Sequence, residues 1–228
     1  MAILPVRVLG DPILRTRAED VTRFDDALAR LVEDMHETMI AVGGVGLAAP
    51  QVGVGLRIFT WEVDDSSGHV VNPVLTVQDE TQSGMEGCLS VPAIGGHTTR
   101  AQRATVTGVD VTGAPVTVTG EGMLARCLQH ETDHLDGTLY LDRLDGDERR
   151  TVMAALRTDD WRAAVARVQD DRRDLEPAAA STGAARLRSA GTTGTAPHTA
   201  RRPGSAGPGD GRVAGGAAPG ASFFGGGR

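Results

Sequence analysis

The chain has 228 residues, 40% of them hydrophobic and 3% aromatic, with a formal net charge of −7. That length predicts one domain by default, with two possible, and an ordinary core of Val, Leu, Ile and Ala, and the negative balance argues against a nucleic-acid binder. Two cysteines are too few for a disulfide framework, no apolar run is long enough to span a bilayer, and the N-terminus lacks a signal-peptide layout, so the reading is a cytoplasmic protein without a membrane partner.

Residues 3–9 alternate loosely, and Asp11-Pro12 predicts a turn before an irregular segment at Ile13-Leu14. A helix follows, capped by Thr22 or Asp25, with Leu28, Leu31, Val32, Met35 and Met39 on one face and Gly43-Gly44 at its end. His36 lies in it as an ordinary surface or boundary residue. The stretch Gly44-Val45-Gly46-Leu47-Ala48-Ala49-Pro50-Gln51-Val52-Gly53-Val54-Gly55 precedes no helical pattern, so it is no dinucleotide fingerprint. Its small residues admit a second backbone at close range, and the amide of Gln51 sits among them, which makes it one wall of a substrate groove. Strands are predicted over Leu56–Val63 and Val70–Val77, the second interrupted by Asn72-Pro73, with a turn at residues 64–68. The segment Gly84-Met85-Glu86-Gly87-Cys88-Leu89-Ser90-Val91-Pro92 comes next, then a hairpin of Thr105–Val111 and Val116–Thr119 around Gly113-Ala114.

The stretch Leu124–Gly137 organises the rest. Leu124, Cys127, Leu128, Glu131 and Leu135 recur at helical spacing and Gly137 stands where a C-terminal cap would. On that helix His130 and His134 lie one turn apart on one face, where both imidazoles can hold one metal ion. Glu131 beside them can take a proton from the water that such an ion acidifies. A third ligand is needed, and both cysteines are candidates. Residues 127, 130 and 134 run along one line with about 10 Å of rise, so Cys127 cannot converge on the ion and reads as a small buried residue. Cys88 follows Gly87, where the backbone can turn the thiol toward a helix; a buried free thiol is its other reading. Two histidines, a cysteine and water would make an open site.

Three motifs together resemble bacterial peptide deformylases: Gly44-Val45-Gly46-Leu47-Ala48-Ala49-Pro50-Gln51, then Glu86-Gly87-Cys88-Leu89-Ser90, then Gln129-His130-Glu131-Thr132-Asp133-His134. The resemblance covers roughly residues 1–170. It implies an α+β fold, with small antiparallel or mixed sheets around a metal-binding helix, an N-terminal helix and a C-terminal helix. It implies removal of the formyl group from the N-terminal formyl-methionine of nascent polypeptides, with release of formate. Carried over by position, Cys88, His130 and His134 would be metal ligands, Glu131 the general acid and base, and Gln51 with the Leu89 N–H the donors to the developing oxyanion. The nascent peptide would pair with backbone at Val45, Gly46 and Gly87, its methionine side chain near Val45, Met123, Cys127 and the His130 ring. The resemblance favours Fe(II), with Zn(II), Ni(II) or Co(II) as substitutes, and it raises the ribosome as a partner. Relatives also pair the motif glutamate with a downstream arginine, here Glu86 with Arg100, against which stands a solvated arginine.

Two other classes share features. A zincin-type protease uses H-E-x-x-H but takes its third ligand downstream, where His198, Glu148 and Glu176 are the candidates. A non-catalytic peptide-binding module would keep the groove and have no need of Glu131. Asp145–Val168 reads as helical and broken near Thr158-Asp159-Asp160. The catalytic domain is expected over residues 1–176. Residues 177–228, rich in Gly, Ala, Pro and Arg, bury too little to offset their ordering entropy and are expected to be disordered.

Overall fold

The computed structural model describes residues 2–175, so the expected disorder of residues 177–228 lies outside the described residues. In chain order the elements are α1 (Asp26–Ala41), β1 (Gly46–Ala48), β2 (Ile58–Val63), β3 (Ser66–Val77), β4 (Thr81–Cys88), β5 (Val91–Ala101), β6 (Arg103–Val109) and β7 (Pro115–Glu121). Then come α2 (Gly122–Leu135), α3 (Gly146–Ala155) and α4 (Asp159–Asp174). The class is α+β. Five strands form one sheet in the order β1-β2-β3-β6-β7 and β4-β5 form another, every pairing of named strands being antiparallel. Of the antiparallel and mixed alternatives the antiparallel one is observed, and among the described residues the one parallel contact is an isolated bridge between Glu19 and Leu56.

Asp25 is the cap of α1, its carboxylate accepting from the Ala27 and Leu28 N–H groups, and Leu28, Leu31, Val32, Met35 and Met39 are its buried face. They meet Leu47, Ile58 and Val71 on one side of the five-stranded sheet. On the other side Phe59, Trp61, Val63, Val70 and Val106 pack with Cys127, Leu128 and Leu135 of α2. Alternation along β2 sends Ile58 to the first layer and Phe59, Trp61 and Val63 to the second, so the strand is buried on both faces. A third cluster joins Cys88, Val91, Leu139, Tyr140, Leu141, Leu144 and Val152.

Several boundaries differ from the expectations for physical reasons. The turn before β3 is only Asp64-Asp65, with Asp64 left-handed at φ 50°, so β3 starts at Ser66. Asn72 does not end that strand: it takes φ 53° at a register shift between Val71 and Val74. Its side chain accepts from Val21 N–H (2.7 Å) and donates to Val21 O (2.9 Å), which compensates the strain. The β4-β5 sheet has no counterpart in the sequence reading. Gly84, Gly87, Gly95 and Gly96 depress strand propensity there, and the first five residues of β4 are not buried, so the apolar signal is missing. The long C-terminal helix divides as expected, and Thr158 caps α4 by accepting from the Trp161 N–H.

Candidate functional site

The site forms where the end of β4 meets α2. The β4-β5 register shifts between Gly87 and Cys88, which takes Cys88 out of the regular ladder at the strand's end. On α2, residues 125–135 are all buried, so His130, Glu131 and His134 lie inside the protein. One ligand atom each from Cys88, His130 and His134 lies within 4.8 Å of the others. Cys88 Sγ is 3.2 Å from His134 Nε2, and the two imidazoles meet edge to face with centroids 4.9 Å apart. Cys127 is fully buried; burial, then the Glu131 and Glu86 charges, pushes its thiol well up, as suits an inert apolar residue.

Glu86 fixes the first histidine. Its Oε1 lies 2.7 Å from His130 Nδ1, so the nitrogen that His130 can offer a metal is Nε2. Glu86 is itself fully buried and accepts from Thr98 Oγ1 (2.5 Å), Arg100 Nη2 (2.5 Å) and Nε (3.1 Å), and Arg126 Nη1 (2.9 Å). Burial alone would raise its pKa, but His130 and then Arg100 hold it well below the carboxylate range. Asp133 extends the array, accepting from Arg100 Nη1 (2.6 Å) and from Arg143 Nη2 (2.6 Å) and Nε (3.0 Å). The buried reading of Arg100 is the one observed. Sequence reasoning missed Arg126 and Asp133. Arg126 stands one turn before His130 on α2, so helical spacing alone could have flagged an arginine on the histidine face.

Glu131 is buried, and its Oε2 has no hydrogen-bond partner among the described residues. Burial, opposed by His130 and aided by Glu86, pushes its pKa up to about 7. It approaches β1 so closely that a Cβ on Gly46 would collide with Glu131 Oε1 and sit 2.9 Å from Cys127 Sγ. Glycine at 46 is therefore required by close approach. His134 Nδ1 is likewise buried without a partner among the described residues.

Gln51 lies in a 3-10 turn, Ala49–Val52, and its Oε1 accepts from the Ala48 N–H (2.8 Å). That turns its Nε2 toward Cys88 Sγ (3.5 Å) and Ser90 Oγ (3.3 Å). Leu89 follows Cys88 in the turn between β4 and β5. Val45 O accepts from the Glu62 N–H (2.9 Å) and lies 3.5 Å from Cys127 Sγ, so Val45, Gly46 and Cys127 come together beside Glu131. Gly87 pairs with Gly95. Met123 is 44% exposed on the first turn of α2, one turn before Cys127.

The polypeptide deformylase family model matches residues 3–150. A peptide deformylase of Acidothermus cellulolyticus is 51% identical over 169 residues, covering 74% of this chain and 94% of that one. One of Parafrankia sp. is 52% identical over 164 residues, covering 71% and 89%. Among solved structures, the peptide deformylase of Legionella pneumophila superposes with a TM-score of 0.67 at 40% identity, covering 73% of this chain and 99% of that one. That of Thermus thermophilus gives 0.65 at 40% identity, covering 75% and 100%. The chain thus belongs to the polypeptide deformylase family, the metal-dependent hydrolases that remove the N-terminal formyl group from nascent polypeptides.

Proposed function

We propose that Cys88, His130 and His134 hold the metal on which deformylation depends, and that Glu131 moves the proton. The observation that carries this is the convergence of one sulfur and two nitrogen donors within 4.8 Å, all buried. Such a spread suits one ion with bonds of about 2.0–2.3 Å to each. The donors also fit chemically: Glu86 orients His130, and His134 Nε2 faces Cys88 Sγ. The ion, for which we favour Fe(II) with Zn(II), Ni(II) or Co(II) as substitutes, supplies Lewis acidity and an acidified water. A metal analysis of protein purified without oxygen tests that choice.

The chain's own residues supply the rest. Glu131 accepts the proton of the attacking water and delivers it to the leaving amine, for which its unpartnered, buried Oε2 is placed. Gln51 Nε2, held by the Ala48 contact, and the Leu89 N–H donate to the oxygen on which charge develops as the formyl carbon becomes tetrahedral. β1 ends the larger sheet and β4 has a single partner, so each keeps an edge free of named strands. An extended peptide fits there by strand addition at Val45, Gly46 and Gly87, and Val45, Met123 and Cys127 receive its methionine side chain. Nascent chains emerge in the cytoplasm, which is where we place the enzyme.

The test pairs formate release from a formyl-Met tripeptide with metal content. Glu131→Gln should keep stoichiometric metal and lose about two to four orders of magnitude in turnover, since general acid–base help is of that size. Loss of the metal in that variant would show that Glu131 is a ligand.

A further inference from the structure

We propose that Arg172, on α4, is a positioning residue of the metal centre that acts on the Cys88 sulfur through one intervening peptide group. The proposal rests on Cys88 being a ligand, as above. Arg172 Nη1 donates to the carbonyl of Leu89 at 3.0 Å. The N–H of that same peptide group belongs to Ser90, and it donates to Cys88 Sγ at 3.4 Å. The two contacts are opposite ends of one dipole. A guanidinium on the oxygen draws electron density from the nitrogen, so the Ser90 N–H becomes a stronger donor toward the sulfur. A thiolate gains more from this than a thiol, because a charged acceptor strengthens the bond.

The surroundings of Arg172 favour this reading over simple packing. The side chain is half-buried, and among the described residues no carboxylate pairs with it. Burial lowers its pKa, and the Cys88 sulfur acts in the opposite sense. α4 has no fully buried residue of its own, so apolar burial alone does not account for its seat. It holds the β4-β5 hairpin at two carbonyls: Arg172 on Leu89 in the turn, and Trp161, whose Nε1 donates to Pro92 O at the start of β5 at 3.0 Å. Only the first of these carbonyls shares a peptide group with a donor to Cys88.

The test uses the full-length protein loaded with Co(II), reading the sulfur-to-cobalt charge-transfer band and the rate of cobalt loss to a chelator. Arg172→Gln and Arg172→Ala each weaken a bond to the sulfur, so the band should move to longer wavelength and cobalt should leave about tenfold faster, a size typical of groups behind a ligand. Arg172→Lys keeps the charge and a donor and should recover most of both effects. Trp161→Phe cuts the other anchor of α4 and should match the wild type in both readings. An unchanged band and release rate in the Gln and Ala variants would overturn the proposal, and so would equal shifts in Trp161→Phe, since docking of α4 would then be the cause. A wild-type protein without the band would overturn the Cys88 assignment itself, and the relay with it.

Discussion

Glu86 touches no substrate in the scheme above, yet its substitution should be the costliest in the site. It is a fully buried carboxylate between Arg100, Arg126 and His130, and removing it takes from the buried Arg126 its carboxylate and leaves Arg100 with Asp133 alone. Breaking a buried ion pair by deleting one partner costs about 3–5 kcal/mol, so Glu86→Ala should unfold at markedly lower urea, with Arg126 left short of a counter-charge. A change in stability under about 1 kcal/mol would mean that water replaces the carboxylate at little cost. The two cysteines divide on different grounds. Cys88→Ser puts a hydroxyl where a soft sulfur stood and should lose most metal and activity. Cys127→Ser buries a hydroxyl beside Val45 O and should keep its metal while losing about 1–3 kcal/mol of stability. Metal content measured on both variants separates them, and retention in Cys88→Ser with loss in Cys127→Ser would reverse the ligand set.

Among the elements, β3 carries a contact that pH should release. The Val111 N–H donates to His69 Nε2 at 3.2 Å, which requires a neutral ring. Burial lowers the His69 pKa from its ordinary 6.5, His36 adding to the shift and Asp110 opposing it. With the folded pKa depressed, the unfolded chain takes up a proton first on acidification. The neutral ring therefore contributes stability that is fully present above pH 6.5 and is lost as pH falls toward the folded value. Urea midpoints at pH 7.5 and pH 5.5 should show this fall, and His69→Gln, which accepts without titrating, should show a smaller one. Equal falls would remove His69 from the account. What the sequence made legible follows the same physics. α1 and α2 announce themselves by a buried face at helical spacing, and the H-E-x-x-H pair needs only that helix to be placed. The β4-β5 sheet stays hidden because glycine-rich strands with little buried surface carry no periodic signal. Of the ions about Glu86 only the Arg100 pairing is foreseen, through the family resemblance; the rest stay hidden because they come from α2 and the segment after it and meet β4 and β5 only in the fold.

At the scale of the whole molecule, the negative charge belongs to the part of the chain that carries the site, while the segment after residue 176 is of another composition. Its basic groups are Arg186, Arg188, Arg201, Arg202, Arg212 and Arg228 against Asp210 alone, and its other residues are mostly Gly, Ala, Pro, Ser and Thr. The family match ends at residue 150, and α4 ends at Asp174 with the Arg172 contact complete. All the residues assigned to the metal, the proton and the peptide thus precede the segment. A chain of that composition has too little apolar surface to order a groove, so deleting residues 177–228 should leave kcat/KM for a formyl-Met tripeptide within about twofold. The matching control ends the chain after Ala155, which removes α4 and with it both holds on the β4-β5 hairpin that carries Leu89. If the shorter deletion costs tenfold and the longer one no more, residues 177–228 contribute to the groove directly, and the catalytic unit extends beyond residue 176.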